Sequence, residues 1–338
     1  MLKRLLIFLI LVSAGVGVFA MVVFSGLKPA NENAKPRYFR VDKGETIADV
    51  LLRLEGEGLI QNAKYVRWHH RAFGEEGTVH RGTYEISASQ SGDEILKHLL
   101  FGEKVRQMVL IKEGLWVREV AATLEAKQVA SKQEVLALAA DPRSLEDLPA
   151  FIVPSKGLEG YLYPETYDLP PLIGAEEAVV RMLAEFEKDI YEPLGKPDAI
   201  KLRSWVIIGS LVELEAKHEN ERKRIAGVIY NRLNKGMALQ IDATVIYGLG
   251  VRRTLKNVDY QLSHPYNTYK IQALPPGPIC SPRASSVMAA AKPEVHHFFY
   301  YVAMPDGTHK FSKTYDEHLR NVNLSRKAYA AQRAAAGA

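Results

Sequence analysis

Cysteine is nearly absent from this 338-residue chain, which contains only Cys280. One cysteine permits no internal disulfide, and its neighbours in Pro278–Pro282 provide neither a redox pair nor a metal-binding spacing. We interpret Cys280 as an ordinary packed or surface thiol. Cysteine usage leaves the cellular compartment open, because exported bacterial proteins often lack disulfides.

A strong charge of one sign is also missing. The formal net charge is +5, and the basic residues are spread along the chain without an aromatic-rich RNA-binding motif or a basic helix. We therefore predict no nucleic-acid partner. A mildly basic exterior suits an anionic membrane or a cell-wall polymer, although such a surplus is more often just a solvated surface.

Motifs for metal or serine-nucleophile chemistry are lacking as well. The adjacent pairs His69–His70 and His296–His297 have diverging side chains, and His218–Glu219 lacks the second histidine of a zinc-protease helix. No Gly-x-Ser-x-Gly elbow is present, although composition alone does not exclude a Ser–His–Asp triad. We expect neither a metal nor a cofactor.

A long apolar run is the most distinct feature that is present. Leu5–Phe24 contains no charge and follows two basic residues. About 20 apolar residues cross a bilayer, whereas the core of a signal peptide has about 7–15. We predict one transmembrane helix at residues 5–24, with residues 1–4 in the cytoplasm and the remainder exported. Cleavage near Val18–Ala20 is the alternative, and a lipoprotein anchor is excluded because no cysteine follows the run.

The exported part divides into a linker at residues 25–37, a small module at 38–104 and a larger domain at 105–338. In the module, Tyr38–Val41 alternates like a strand, and Asp42 or Thr46 can cap a helix that starts near Ile47. This strand, Gly-Glu-Thr turn and helix resembles the LysM-like modules of wall-binding proteins. A module that only packs against its neighbour is the alternative.

The larger domain is predicted to mix helices with short strands, so that the fold class is α+β. Its predicted helices are Val117–Lys127, Lys132–Ala140, Ala175–Tyr191, Ala199–Lys217, Glu221–Asn234, Ser285–Ala291 and Thr314–Ala334. Its predicted strands are Met108–Ile111 and His297–Ala303, and Pro and Gly cluster in loops at 154–171 and 263–282.

Glu215 is the candidate centre of the chemistry. At helical spacing it shares one stripe with Trp205, Ile208, Leu211 and Val212. A carboxyl at the end of an apolar stripe is poorly solvated, which raises its pKa towards the value that a general acid needs near neutral pH. A buried structural ion pair with Arg222 or Arg224 is the competing interpretation.

Glu213 lies two residues earlier and points to another side of the helix. We expect it to form an (i, i+4) ion pair with Lys217. Residues two apart on a helix point about 200° apart, so the two carboxyls cannot easily flank one bond. A glycosidase that hydrolyses its substrate needs a second positioned carboxylate, and this geometry therefore favours chemistry with a single acid.

Amides, tyrosines and a Pro/Gly loop follow the acid, a composition typical of a saccharide cleft because tyrosine faces stack on sugars and amides bind their polar groups. The order of these motifs closely resembles the endolytic murein transglycosylases of the MltG (YceG-like) type. The resemblance covers nearly the whole chain and rests on several segments: Glu113–Gly114, Glu159–Thr166, Ser210–Ala216, Val228–Leu233, Gly236–Gly248, Pro265–Tyr269 and Leu274–Ile279.

The resemblance implies a reaction and roles for individual residues. The family's catalytic acid maps to Glu215, with Glu213 as a supporting residue. The substrate would be the glycan strands of peptidoglycan, cleaved without water so that 1,6-anhydro-N-acetylmuramic acid ends are left. Further expectations are positioning by Asn231 and Arg232 and substrate binding by Gln240, Asp242, Tyr247, Tyr266 and Asn267.

The resemblance also implies a cellular setting, namely the inner membrane of a bacterium, with the catalytic domain on the outer side of that membrane and cell-wall synthases as candidate partners. It implies that newly made strands are trimmed or terminated there. Two other functions stay open on the residues alone. One is a membrane-anchored protein that binds peptidoglycan as a scaffold, and the other is a muramidase that hydrolyses the same bond.

Overall fold

The computed structural model describes residues 2–336, apart from the side chains of residues 2–5, 19, 20, 23, 24 and 336. The chain forms two compact units. The first contains the residues up to Met108 together with Asp168–Ile173, and the second contains Val109–Tyr167 and the residues from Gly174 onward. The fold is α+β, with three two-stranded sheets among the described residues.

The first helix, α1 (Leu2–Gly26), contains the predicted membrane span. Its described apolar side chains are exposed, from Leu6 through to Val22. Along the described part of the chain, no helix has both the length and the apolar character that crossing a membrane requires. Residues 5, 19, 20, 23 and 24 of the predicted span lie outside the described side chains, as do all four residues of the predicted cytoplasmic tip.

The remainder of the first unit has two antiparallel strands and three helices around an apolar core. The elements are β1 (Arg37–Val41), α2 (Ile47–Gly56), α3 (Ala63–Phe73), β2 (Gly82–Ile86) and α4 (Gly92–Phe101). Thr46 caps α2 as predicted, because its hydroxyl accepts a hydrogen bond from Asp49 N while the Asp49 carboxylate accepts one from Thr46 N. The core packs Phe39, Leu54 and Tyr84 together.

Twelve α-helices and strands follow from Met108 to Ala336, besides five short 3-10 or π-helical segments. They are β3 (Met108–Leu110), α5 (Val117–Ala126), α6 (Lys132–Ala140), β4 (Thr166–Asp168), α7 (Ala175–Phe186), α8 (Ala199–Glu215), α9 (Arg222–Asn234), α10 (Asp242–Leu249), α11 (Ala284–Ala291), β5 (Tyr300–Ala303), β6 (His309–Ser312) and α12 (Tyr315–Ala336). Strand β3 pairs with β4, and β5 pairs with β6 in antiparallel register.

Helix α8 lies at the centre of the second unit. Helices α9, α10 and α11 all contact it, so α8 is buried continuously from Val206 to Val212 rather than along one stripe. Gly209 permits the closest approach, since a Cβ atom there would lie 3.0 Å from the Cα atom of Val287 in α11. This packing fixes the end of α8, where Glu215 lies.

Several element predictions were wrong in detail. Helix α8 ends at Glu215 and not at Lys217, because Ala216 takes an extended conformation. Helix α10 was missed, since its sequence is short and apolar on several sides. Strand β4 was placed in a loop, and β5 begins at Tyr300 rather than at His297.

Candidate active site

Glu215 is the last residue of α8, and the chain turns away immediately after it. The apolar residues one turn back, Leu211 and Val212, are fully buried in one cluster with Ile208. Trp205, further back on the predicted stripe, packs against the edge of that cluster. The residue Glu215 is partly exposed as a whole, and its buried carboxyl group lies at the end of an apolar helix surface.

The surroundings of Glu215 favour its neutral form. Burial raises the pKa of the carboxyl to about 7, and the negative charge of Asp242 acts in the same direction. A hydrogen bond from Tyr301 Oη to Glu215 Oε2, at 3.1 Å, and the positive charge of Arg232 oppose the increase. A carboxyl with this pKa exists in both protonation states near neutral pH, so it can donate a proton and later accept one.

Tyr301 is held in position by Asn231 and Arg232, the two residues predicted to have a positioning role. Asn231 Nδ2 donates to the carbonyl oxygens of His296 and Phe298, both at 2.9 Å. Arg232 Nε donates to the carbonyl oxygen of Phe299 at 2.6 Å. These bonds fix the segment that leads into β5, and they thereby place Tyr301 against Glu215.

Glu213 has different partners from those predicted. Its carboxylate accepts hydrogen bonds from Arg283 Nε at 3.0 Å and Ser286 Oγ at 2.7 Å, and it lies 3.5 Å from Arg222 Nη1. The predicted pairing with Lys217 was wrong, because α8 ends before Lys217 and the (i, i+4) geometry is lost. With a side chain only 5% exposed, Glu213 joins α8 to α9 and α11.

The competing interpretation of Glu215 as one half of a buried ion pair depended on Arg222 and Arg224. Arg222 pairs with Glu213 and Glu219, and Arg224 pairs with Glu294. Both guanidinium groups are therefore used elsewhere. The described partner of the Glu215 carboxylate is the hydroxyl of Tyr301, which is a neutral group.

Asp242 and Gln240 lie on the segment that enters α10. Asp242 Oδ1 accepts a hydrogen bond from Tyr269 Oη at 2.7 Å, and its charge is the one that raises the pKa of Glu215. Gln240 has a positive φ of 53°, and its N–H donates to the carbonyl oxygen of Thr268 at 3.1 Å. Both side chains are exposed, in a position to meet a ligand near Glu215.

Asn267 is fully buried and is used within its own loop. Its Nδ2 atom donates to the carbonyl oxygens of Tyr260 and Leu262, and its Oδ1 atom accepts from Tyr269 N at 3.0 Å. In this arrangement both ends of the amide are occupied by the chain itself. Asn267 thus shapes the loop that carries Tyr266 and Tyr269.

Tyr247 and Tyr266 line a separate cleft of about 630 Å³ in the second unit. Their ring centroids are 4.8 Å apart, and His264 packs on Tyr266 at 5.7 Å. Gly277 leaves room for this arrangement, since a Cβ atom there would lie 2.8 Å from Tyr266 Oη. Two of the predicted substrate-binding residues therefore share one aromatic wall.

A second carboxyl with an unusual environment, Glu159, lies in the same cleft. It accepts hydrogen bonds from Val117 N at 3.1 Å and from Tyr247 Oη at 2.9 Å. Burial raises the pKa of Glu159 to about 7, and the two hydrogen bonds oppose this increase only in part. A glutamate on an irregular segment carries no periodicity, so its burial was not predicted from the sequence.

Tyr301, which contacts Glu215, and Glu159, the second carboxyl with a raised pKa, were not among the candidate residues predicted from the sequence. Tyr301 was placed on a predicted strand with five other apolar or aromatic residues, and nothing in that pattern selects one ring. Within residues 2–336, no group of three or more His, Cys, Asp or Glu side chains is arranged to hold a metal ion.

The fold and the site define a class of mixed α+β proteins with one partly buried acid at the end of a central helix. Residues 39–324 match the YceG-like family, and the chain belongs to that family. A solved structure of a YceG-like protein from Listeria monocytogenes is 31% identical, covers 85% of this chain and 99% of its own, and superimposes with a TM-score of 0.53.

Two relatives are named endolytic murein transglycosylase. The protein from Streptococcus pneumoniae strain D39 is 30% identical over 94% of this chain, and this chain spans 63% of the length of that relative. The protein from Bacillus subtilis strain 168 is 28% identical, with 86% of each chain covered.

Proposed function

We propose that this chain is an endolytic murein transglycosylase, a lyase that cleaves the β-1,4 bond between N-acetylmuramic acid and N-acetylglucosamine without water. One observation carries the proposal: the carboxyl group of Glu215, at the end of the central helix α8, has a pKa of about 7 and a neutral hydrogen-bond partner. The names of the relatives and the family membership support the same reaction.

The proposed reaction uses Glu215 twice. The protonated carboxyl donates its proton to the glycosidic oxygen while the bond from that oxygen to C1 of the muramyl residue breaks. The C6 hydroxyl of the same muramyl residue then attacks C1, and the Glu215 carboxylate accepts the hydroxyl proton. The product carries a 1,6-anhydro ring, no water is consumed, and Glu215 returns to its protonated state.

Tyr301, Asn231 and Arg232 act as positioning residues in this proposal. The Tyr301 hydroxyl stabilises the carboxylate that forms after the first proton transfer, since it donates to Oε2. Asn231 and Arg232 keep the Tyr301 strand in place through the backbone of residues 296–299. Gln240, Asp242, Tyr247 and Tyr266 are proposed to contact the glycan, and Asn267 supports them through its loop.

Hydrolysis of the same bond is the second candidate, and Asp242 is the observation that favours it. The sequence offered only Glu213 as a second carboxylate, and Glu213 is held in an ion-pair cluster with Arg222 and Arg283. Asp242, in contrast, is exposed and lies near enough to Glu215 for its charge to raise the pKa of Glu215. An ionised Asp242 could orient a water molecule as a muramidase requires.

The proposed location is the inner membrane of a bacterium, with the N-terminus in the cytoplasm and the catalytic domain outside it. The uncharged run Leu5–Phe24 and the basic residues before it support a single-pass anchor. A LysM-like role for residues 38–104 and the proximity of cell-wall synthases belong to the same proposal. An anchor would keep the site close to the place where new strands are made.

The proposal is tested by digesting peptide-free glycan strands with the full-length protein in detergent and weighing the ends by mass spectrometry. We expect anhydro-muramyl ends, which are one water lighter than reducing ends, and no product from Glu215→Gln. Reducing ends would instead establish the muramidase. An intact, folded protein that binds strands and cuts none would establish the scaffold.

A further inference from the structure

The cleft that contains Glu159 is lined by a residue with an unpartnered hydrogen-bond donor. Trp116 lines it with a side chain that is only 2% exposed, and its indole Nε1 has no hydrogen-bond partner among the described residues. An unsatisfied buried donor costs about 1–3 kcal/mol, so native proteins rarely leave one without a use. A ligand in the cleft that carries an acceptor oxygen would satisfy it.

We propose that this cleft is a second saccharide subsite, which binds an N-acetylated sugar of the glycan strand away from the bond that Glu215 cuts. The inference rests on the proposed function, since it takes the glycan strand as the substrate. The residues of its lining that we propose to contact the sugar are Trp116, Glu159, Tyr247, His264 and Tyr266.

The wall of the cleft combines aromatic rings for stacking with polar groups for hydrogen bonding, and a sugar uses both. Tyr247 and Tyr266 are partly exposed and present ring faces, on which the C–H side of a pyranose can stack. The Glu159 carboxyl and the Trp116 N–H provide one acceptor and one donor for hydroxyl or acetamido groups. A purely apolar ligand would leave the Trp116 N–H without a hydrogen-bond partner.

The polar groups of this cleft are held in place before a ligand arrives. Glu159 is fixed by Val117 N at the start of α5 and by Tyr247 Oη on α10. Trp116 is enclosed by two guanidinium groups, with Arg118 Cζ 3.9 Å and Arg252 Cζ 4.3 Å from its ring centroid. Arg252 is itself fixed by Glu119, which accepts from its Nε atom at 2.6 Å. Such preorganisation lowers the entropy cost of binding.

Helix α10 connects the second subsite to the acid. The charge of its first residue, Asp242, raises the pKa of Glu215. Tyr247, five residues later, donates a hydrogen bond to Glu159. Five residues advance an α-helix by about 7.5 Å. That advance is comparable with one or two sugar units, so a strand of several sugars is long enough to reach both sites.

The test compares the binding of short and long glycans in the absence of cleavage. Peptide-free murein disaccharide and octasaccharide are titrated calorimetrically into full-length Glu215→Gln protein in detergent. In that background we expect Tyr266→Leu and Trp116→Phe each to weaken octasaccharide binding about fivefold, in line with the loss of one stacking or hydrogen-bonding contact. Disaccharide binding should stay within twofold of the parent.

The matched control is Tyr315→Leu, the same substitution at a tyrosine of α12 that does not line the cleft. It should leave octasaccharide binding unchanged. Equal octasaccharide affinity in the parent and both cleft variants, with all proteins folded by thermal unfolding, would overturn the subsite. Cleavage by the Glu215→Gln protein would contradict the proposed function alone. The test of the subsite compares affinities among proteins that all carry Glu215→Gln and differ only in the cleft.

Discussion

Glu213 and Glu215 are separated by one residue on α8, yet their carboxyl groups lie in opposite environments. Glu213 contacts two guanidinium groups and a hydroxyl, so its negative charge is paired with the positive charges of Arg222 and Arg283. Glu215 receives one neutral hydrogen bond, from Tyr301, and lies near the like charge of Asp242. This difference in neighbours, rather than the residue type, is the reason why we propose a structural role for Glu213 and proton transfer for Glu215.

Tyr301→Phe and Asp242→Asn should shift the pH profile of kcat/KM in opposite directions. Tyr301 stabilises the carboxylate, so its loss raises the pKa of Glu215, and the alkaline limb moves up by about 0.5–1 pH unit. Asp242 disfavours the carboxylate, so removing its charge lowers the pKa and moves that limb down. Shifts in the same direction in both variants would contradict the assignment of Glu215 as the general acid.

Glu213→Gln should lower the free energy of unfolding by about 2–4 kcal/mol, since it removes a buried carboxylate that pairs with both Arg222 and Arg283. Urea unfolding at pH 7 measures the change. The matched control is Glu219→Gln, which removes another partner of Arg222 from a side chain that is 63% exposed. Solvent screening limits that second loss to under about 1 kcal/mol, and equal effects would refute the structural role of Glu213.

At the scale of the element, the site depends on how closely α8 approaches α11. Gly209→Val should lower the free energy of unfolding by about 1–3 kcal/mol, because the new side chain meets the backbone of Val287. The control is Gly56→Val at the end of α2, where a Cβ atom has open space. Urea unfolding of both variants tests the prediction. Equal stabilities would mean that the two helices can separate at little cost.

Elements with strong periodicity or clear caps were predictable from the sequence. Thr46 and the apolar face after it located α2, and the apolar stretch before Glu215 located α8. Tertiary contacts decided the rest. The eight residues of α10 carry no helical stripe. The pairing of β6 with β5 was overlooked, although Pro305, Asp306 and Gly307 between the two strands form a typical turn sequence.

The same limit applies to the candidate site. The spacing on α8 predicted a poorly solvated Glu215, because the solvation of its carboxyl group depends on apolar neighbours within two turns of the same helix. Three of the partners of Glu213 and Glu215, namely Arg283, Ser286 and Tyr301, lie 70 to 86 positions later in the chain, and local patterns do not encode such pairings. Asn267 shows the converse, since a polar residue in a tyrosine-rich loop proved to be buried.

At the scale of the whole molecule, two carboxyls with raised pKa values should make stability depend on pH. The ordinary pKa of Glu159 and Glu215 is 4.5, and in the folded chain each has a pKa of about 7. Between these values the folded state binds more protons than the unfolded state, so stability falls as pH rises from about 4.5 to 7.

Replacing either glutamate should remove part of this dependence. We expect Glu215→Gln to be more stable than the parent by about 1–3 kcal/mol at pH 8 and nearly equal to it at pH 4.5. Glu159→Gln should behave in the same way, and the double variant should have the flattest profile. Urea unfolding across this pH range measures the effect, and a variant that is destabilised at pH 8 would argue against a raised pKa at that position.

The proposed anchor is tested at the same scale by placing charge within the apolar run. Val12→Arg combined with Val16→Arg should release the protein from membranes, because each arginine costs about 2.5–3.5 kcal/mol at the centre of a spanning helix. Resistance to carbonate extraction is the measurement. Leu52→Arg, at an exposed apolar position of α2, is the matched control. Retention of the double variant in the membrane would contradict a single anchor at residues 5–24.

Cleavage of glycan strands in water enriched in oxygen-18 tests the central claim most directly. If Glu215 acts alone as acid and then base, the new muramyl ends carry an anhydro ring and no oxygen-18, and Glu215→Gln yields no new ends. Incorporation of one oxygen-18 atom at each new reducing end would contradict the claim. It would show that water, and not the C6 hydroxyl, attacks C1.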